Sequence, residues 1–423
     1  DLVRSRGLGD VYKRQVQAKT MAAKMACADG IQEYIETLRD LKASNAEQRY
    51  LSGLSGKIRA VEKQSIAAEL ETALFVSSAS MVLKLGIASV ALTGSVLLVQ
   101  GSIDVLTLFL FLMAASRMYD PMQGALQNLA AVIAMRTNVG RMNEILDAPL
   151  QTGSEKLTNQ GCDIVFDHVG FAYQSGETVL KDVSFTAKQG EVTALVGPSG
   201  GGKTTVSRLA ARFWDYQKGT ITVGGMDISK IDPEKFMNLY SIVFQDVTLF
   251  DNTILENIRL GRKDATDEEV LAAARLANCD EFAEKLPDKW NTSIGENGRA
   301  LSGGERQLML LGRALIQNAH TLIMDEPTAS LDYGNSFRVM QRIEALSAGG
   351  YSVIFSTHEP NQAFRYATKV LALKDGRVLA FGLPGQVLTP ELLQTLYGVP
   401  VAVTQVQAGS RIFSVCTPYV TDD

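Results

Sequence analysis

Histidine is scarce in this 423-residue chain. Three residues are too few for a histidine-rich metal centre. The four cysteines, Cys27, Cys162, Cys279 and Cys416, lie far apart. They show neither metal-ligand spacing nor a disulfide framework, and they read as reduced and structural. An excess of positive charge is missing too. The 41 Lys and Arg against 46 Asp and Glu leave a net charge of −5, so no nucleic-acid partner is expected from bulk charge. Charged residues make up 21% and hydrophobic residues 46%, which excludes disorder as the main state. No repeat or low-complexity tract appears, and no cleavable signal peptide is expected, because the hydrophobic segments are internal. The length is too great for one ordinary domain and predicts two or three.

Charge is unevenly spread. Residues 1–70 hold 12 basic and 9 acidic side chains. Residues 71–135 hold only five charged ones: Glu71, Lys84, Asp104, Arg117 and Asp120. A bilayer core needs about 20 apolar residues per helix. Residues 73–100 and 103–120 are long enough, with a turn at Gln100–Asp104. Lys84 is the objection, at roughly 2.5–3.5 kcal/mol for a central lysine, unless it faces protein or a water-filled cavity. The alternative is a pair of buried helices in a large soluble domain. Basic flanks, Lys13, Arg14, Lys19, Lys24, Lys42 and Lys57 before and Arg136 and Arg141 after, put both ends in the cytoplasm by the positive-inside rule. Met122, Leu126, Leu129, Ile133, Val139, Met142 and Ile145 recur at helical spacing, which predicts a helix continuing to about Leu146. Residues 20–70 also read as helical, with bends expected at Gly53 and Gly56. Pro149 and Thr152-Gly153-Ser154 end the helical pattern, so residues 151–162 read as a linker.

From Asp163 the texture becomes short and β-like. The apolar run Val192–Val196 leads straight into Gly197-Pro198-Ser199-Gly200-Gly201-Gly202-Lys203-Thr204-Thr205. This fits G-x-x-x-x-G-K-[ST] between a strand and a helix. Glycines let backbone N–H groups curl around phosphate oxygens, and the helix N-terminus adds positive potential. Lys203 then reaches the β- and γ-phosphates of ATP, and the Thr204 hydroxyl ligates Mg²⁺. The apolar run Thr321–Met324 ends in Asp325-Glu326. An aspartate there can hold Mg²⁺ and its waters, and a neighbouring glutamate can deprotonate an attacking water.

With Leu301-Ser302-Gly303-Gly304-Glu305 between these two elements, the chain resembles the ATP-binding cassette (ABC) family. The resemblance implies a mixed fold: an α-helical transmembrane fragment over 16–150, then an α/β P-loop nucleotide-binding domain over 163–382. It also implies roles. Tyr173 stacks on adenine. Gln245 senses Mg²⁺ and the water. Glu326 is the catalytic glutamate, and His358 is the switch that contacts the γ-phosphate. Ser302, Gly303 and Gly304 contact the ATP of an opposite protomer, and Asp332 crosses the dimer interface. The implied partner is a second half-transporter or nucleotide-binding domain, identical or related. The implied place is a multi-pass position in the cell (inner) membrane, with the ATPase in the cytoplasm and an unidentified transported substrate. Residues 30–50 resemble a cytoplasmic helix pair that touches the ATPase. Glu296 in Thr292–Gly298 resembles an acidic coupling contact.

Exporter domains of this family normally have six spans, and only two are expected here. Position 1 is Asp rather than Met, and residues 1–15 resemble an assembly artefact, so a fragment is expected. After Arg306 the chain departs from the exporter pattern: Pro327 and Ala329-Ser330 are unusual, and residues 383–423 resemble the ATPases of metal-chelate (siderophore, haem or cobalamin) importers. Three readings therefore stand. The chain is an export-coupled ATPase, or an importer ATPase joined artificially near 299–307 to an exporter piece, or a non-transport ABC protein acting as a mechanical switch.

Overall fold

The computed structural model describes residues 2–173, 176–245, 248–329, 331–409 and 411–420, with the side chains of 2–18, several of 72–137, and those of 408 and 411 outside the description. Asp246 and Ser330, and the side chains of residues 2–15 and of Leu126, Leu129, Ile133 and Arg136, fall outside it. The chain divides into two compact units, Asp1–Pro149 and Leu150–Asp423.

The first unit is three long helices: α1 (Leu2–Ala43), α2 (Glu47–Val99) and α3 (Val105–Leu146). α2 runs through Gly53 and Gly56 without a break, and a Cβ at either would meet nothing within 4 Å. Each glycine weakens a helix by about 1 kcal/mol, but the hydrogen-bond ladder can continue through it. The reversal comes earlier, at Ser44–Ala46, where Asn45 takes φ 51° and Ala46 N–H bonds back to Leu41 O. Across that turn Tyr34 stacks on Tyr50 at 5.9 Å, and the Tyr50 hydroxyl donates to Glu33. Asp104 caps α3 by accepting from Thr107 N–H at 3.0 Å. Gly86 and Gly94 are the approach points between α2 and α3: a Cβ at Gly86 would collide with the Tyr119 hydroxyl, and one at Gly94 with Leu108. The apolar windows of α2 and of Val105–Ala125 are only 6% and 0% buried. They are therefore not core helices covered by this chain, and Lys84 is exposed among them.

The second unit starts with β1 (Ile164–Ala172), β2 (Thr178–Ala187), β3 (Val192–Val196), α4 (Lys203–Ala210), β4 (Lys218–Val223), β5 (Met226–Asp227), α5 (Pro233–Phe236) and β6 (Tyr240–Val243). Next come α6 (Ile254–Arg259), α7 (Asp267–Leu276), α8 (Asp280–Ala283), α9 (Gly303–Leu315), β7 (Thr321–Met324), α10 (Tyr333–Ala348) and β8 (Ser352–Thr357). Last are α11 (Pro360–Tyr366), β9 (Lys369–Lys374), β10 (Arg377–Gly382), α12 (Pro384–Val387), α13 (Pro390–Tyr397), β11 (Val401–Ala408) and β12 (Arg411–Pro418). One sheet has the order β10-β9-β3-β8-β7-β6, parallel except for β10. A second, antiparallel sheet has the order β2-β1-β4-β5.

Every residue of β3, β7 and β8 is buried, as a parallel sheet covered on both faces requires. The period-2 alternation sorts them. Ala194, Val196, Leu322, Met324, Val353 and Phe355 face a core shared with α6, α7, α9 and α10. Leu195, Ile323 and Ile354 face a core shared with α4 and the antiparallel sheet. Residues 152–162 are held to this unit rather than free: Ser154 N–H donates to Lys230 O, Asp232 N–H donates to Ser154 O, and Cys162 is buried. Residues 383–409 and 411–420 are attached too. Cys416 N–H donates to the Asn361 side chain at 2.8 Å, and Arg365 lies over the Phe413 ring at 5.0–5.5 Å from its three aromatic neighbours Phe337, Tyr366 and Phe413.

Candidate functional site

The carboxyl ends of β3, β8, β7 and β6 lie on one edge of the parallel sheet. Ligands of open α/β sheets bind at that edge. β3 delivers Gly197–Gly202, β7 delivers Asp325 and Glu326, β8 delivers Ser356 and His358, and β6 delivers Gln245. The sequence separates these groups by up to 161 positions, and the sheet brings them together.

The loop after β3 needs glycine for steric reasons. A Cβ on Gly197 would collide with the Leu373 carbonyl. Gly202 has φ 101° and stands as the N-cap of α4 without a side-chain cap. The first N–H groups of α4 are thus left without a capping side chain, which is the arrangement that receives an anion. Gly200 also takes positive φ, and Gly201 N–H closes the turn on Pro198 O at 3.1 Å. Ser199 is exposed at the loop's crown.

Lys203 is only 5% exposed, and its Nζ donates to Gly197 O at 2.8 Å and Pro198 O at 2.9 Å. Glu326 Oε1 lies 3.8 Å away. Burial pushes the Lys203 ammonium below its ordinary range, while Glu326 and Asp325 pull the other way. The Thr204 hydroxyl donates to Asp325 Oδ1 at 3.1 Å, and Asp325 is itself 8% exposed. A hydroxyl and a carboxylate meeting at one point are hard oxygen donors. They suit Mg²⁺, which takes oxygen ligands and keeps several waters.

Glu326 has φ 45°, a left-handed conformation that is strained for a residue with a side chain. Ser356 holds it there. The Ser356 Oγ accepts from Glu326 N–H at 2.8 Å and donates to Asp325 Oδ1 at 2.6 Å. On the other side of the carboxylate, Gln245 Nε2 donates to Glu326 Oε2 at 3.3 Å, and His358 Nδ1 lies 3.5 Å from the same oxygen. Lys203, Thr204, Gln245, Asp325, Glu326 and His358 thus form one connected group. Tyr173 joins through its hydroxyl, 3.2 Å from Thr205 Oγ1 on the first turn of α4.

The remaining predicted residues form a second group. Ser302 caps α9 in a capping box with Glu305. Gly304 is buried because the Asn335 side chain occupies the place of a Cβ. Asn335 donates to Asp332 through its N–H at 2.8 Å and its Nδ2 at 2.7 Å. Ser302, Gly303, Gly304 and Asp332 are therefore neighbours. Among the described residues, no hydrogen bond or ion pair joins them to residues 197–205.

The sequence model of the family described as ABC transporter matches residues 180–329. Residues 180–329 are an ABC transporter domain. An ATP-dependent lipid A-core flippase of Legionella pneumophila is 30% identical over 371 residues, 87% of this chain and 63% of the flippase. An iron-sulfur clusters transporter, atm1, of Aspergillus fumigatus is 30% identical over 383 residues, 88% of this chain and 51% of that protein. A mycobactin import ATP-binding/permease protein of Mycolicibacterium thermoresistibile is 36% identical over 315 residues, 74% of this chain and 53% of that protein. The structure of a bacterial Atm1-family ABC exporter with ATP bound superposes with a TM-score of 0.80 at 25% identity, covering 92% of this chain and 68% of that one. The chain thus spans between 51% and 63% of the length of these curated relatives.

The ABC match runs unbroken through 299–307, and strands from both sides of it pair: β6 with β7, and β3 with β8 and β9. The two halves share one sheet and its two cores. The artificial-join and mechanical-switch readings gain no support. Two residues of this ABC site escaped the sequence reading in their roles. Ser356 was visible only as a small polar residue ending an apolar strand. Gln362 carries the other link: it joins Thr328, after β7, to Thr357 at the end of β8 and to Glu359 beyond it. Nothing in its sequence surroundings marks it.

Proposed function

We propose that this chain is the ATP-hydrolysing subunit of a membrane exporter, acting with Mg²⁺ and a second copy or relative. The observation that carries the reading is the convergence on Glu326: Lys203, Gln245 and His358 surround its carboxylate while Ser356 fixes its backbone. In this reading Lys203 releases its two loop carbonyls to pair with the β- and γ-phosphates. Thr204 and Asp325, with Gln245, would hold Mg²⁺, which would supply neutralisation of phosphate charge. Glu326 accepts a proton from the attacking water, Gln245 orients that water, and His358 stands ready to donate to the γ-phosphate. Tyr173 supports the base.

Ser302–Gly304 and Asp332 lie apart from the phosphate loop of their own chain, which suits contacts to the ATP of a partner. The exposed apolar windows of α2 and α3 suit a lipid bilayer, with the ATPase in the cytoplasm and multi-pass insertion completed by further spans. The named relatives carry different cargoes, so the shared ATPase does not specify this one. The test is Glu326→Gln: it should bind Mg-ATP at unchanged affinity and lose turnover by about 10²–10⁴-fold, the range of general-base catalysis. A Glu326→Gln protein that hydrolysed ATP at the unsubstituted rate would remove Glu326 from the reaction.

A further inference from the structure

The ring of Tyr173 stands just past β1, where strand pairing ends. Two residues from the segment between α4 and β4 hold it, and neither belongs to a sequence motif. The Gln217 side chain acts as a short strand partner. Its Oε1 accepts from Ala172 N–H at 2.8 Å, and its Nε2 donates to Ala172 O at 2.9 Å. Both backbone groups of the residue before Tyr173 are thereby fixed by one amide. The ring itself meets Trp214 edge-on, at 5.6 Å and 89°, and Phe171 at 4.9 Å and 85°. Edge-to-face is a preferred aromatic geometry, and neither neighbour lies parallel against the ring. At its far end the hydroxyl meets Thr205. The supporting segment is rigid at its root: Arg212, 3% exposed, pairs with Asp215 at 3.0 Å and donates to Thr152 O and Ser229 O. Trp214 remains 41% exposed.

We infer that Trp214 and Gln217 are positioning residues for Tyr173, holding its ring as the platform for the nucleobase, and that Trp214 senses the base when it arrives. This rests on the ATP reading of the site. It predicts that the base-dependent part of affinity, and only that part, passes through Trp214 and Gln217.

The chain has two tryptophans, Trp214 and Trp290, so W290F leaves Trp214 as the sole indole emitter. The full chain is titrated with Mg-ATP and with Mg-tripolyphosphate, which has the phosphates and no base. ATP should change Trp214 emission and tripolyphosphate should not. W214A and Q217A should each weaken ATP about 3- to 10-fold, the scale of one aromatic contact, with tripolyphosphate affinity unchanged. W214F should stay within about twofold of the parent, since it keeps a ring. Affinities for both ligands falling together would signal general damage and overturn the positioning role. So would W214A binding ATP as the parent does, or Trp214 emission that ignores bound ATP. Binding of neither ligand by the parent chain would instead sink the phosphate site itself, and this inference with it. Equal affinity for the two ligands in the parent would sink the base platform alone.

Discussion

At the scale of single residues, the site is a set of polar groups with few free valences. Ser356 uses its one donor on Asp325 and its oxygen on Glu326 N–H. Ser356→Ala should cost about 1–3 kcal/mol, because Glu326 N–H loses its acceptor, while Asp325 Oδ1 still accepts from Thr204. Urea denaturation measures this, and an unchanged midpoint would show that Glu326 keeps φ 45° without help. Far from that network, His168 Nδ1 lies 2.6 Å from Asp182 Oδ1. The hydrogen bond to Asp182, then the charges of Asp182 and Asp167, hold the imidazole above its ordinary 6.5. A raised folded value means that the pair's contribution to stability is complete below pH 6.5 and disappears as pH rises through the folded value. Both groups are exposed, so the effect on stability is small, and NMR titration is the suitable measurement. His168 should titrate above 6.5, and Asp182→Asn should bring it back down.

At the scale of elements, the start of α9 and the start of α10 are locked through one contact. Gly304 has no room for a Cβ because Asn335 is there, and Asn335 is held by Asp332. Gly304→Ala should therefore cost about 1–3 kcal/mol by overpacking. Asn335→Gly takes away every obstructing atom, Cβ included, so adding Gly304→Ala to it should cost markedly less than in the parent. Chemical denaturation of the four proteins of this cycle reads that non-additivity. Strict additivity would mean that the two helix starts are independent. The glycine was legible in the motif Leu301–Glu305, but its physical requirement was not, since the residue that fills its space is 31 positions away.

At the scale of the whole molecule, the two units have separate interiors: the parallel sheet and its cores lie in Leu150–Asp423, and the long helices lie in Asp1–Pro149. Calorimetry of the detergent-purified chain should show two transitions, and saturating Mg-ATP should raise only that of the second unit. A ligand at 100 times its Kd adds about 2.7 kcal/mol to the unit that binds it. A single transition moved as a whole by ATP would mean that the units fold as one. Membranes carrying the chain should retain it through a high-salt wash and release it to detergent, as exposed apolar windows of these lengths require.

The sequence by itself determined the local chemistry. Val192–Val196 followed by Gly197–Thr205 specifies strand, glycine-rich loop and helix through its own local pattern, although the need for glycine at 197 comes from distant Leu373. The apolar run ending in Asp325-Glu326, the turn at Gln100–Asp104 and the continuation of α3 to Leu146 were legible for the same reason. Gly53 and Gly56 do not interrupt α2, since glycine permits a break without causing one. Only the tertiary structure decided what depends on strand order. Placing β8 between β3 and β7 puts Ser356 between Asp325 and Glu326 and sets His358 against the same carboxylate. The frame of Tyr173 and the filling of the space over Gly304 likewise come from residues distant in sequence. Periodicity carries no information about which strands pair, because pairing is chosen by the burial of whole faces rather than by any one segment.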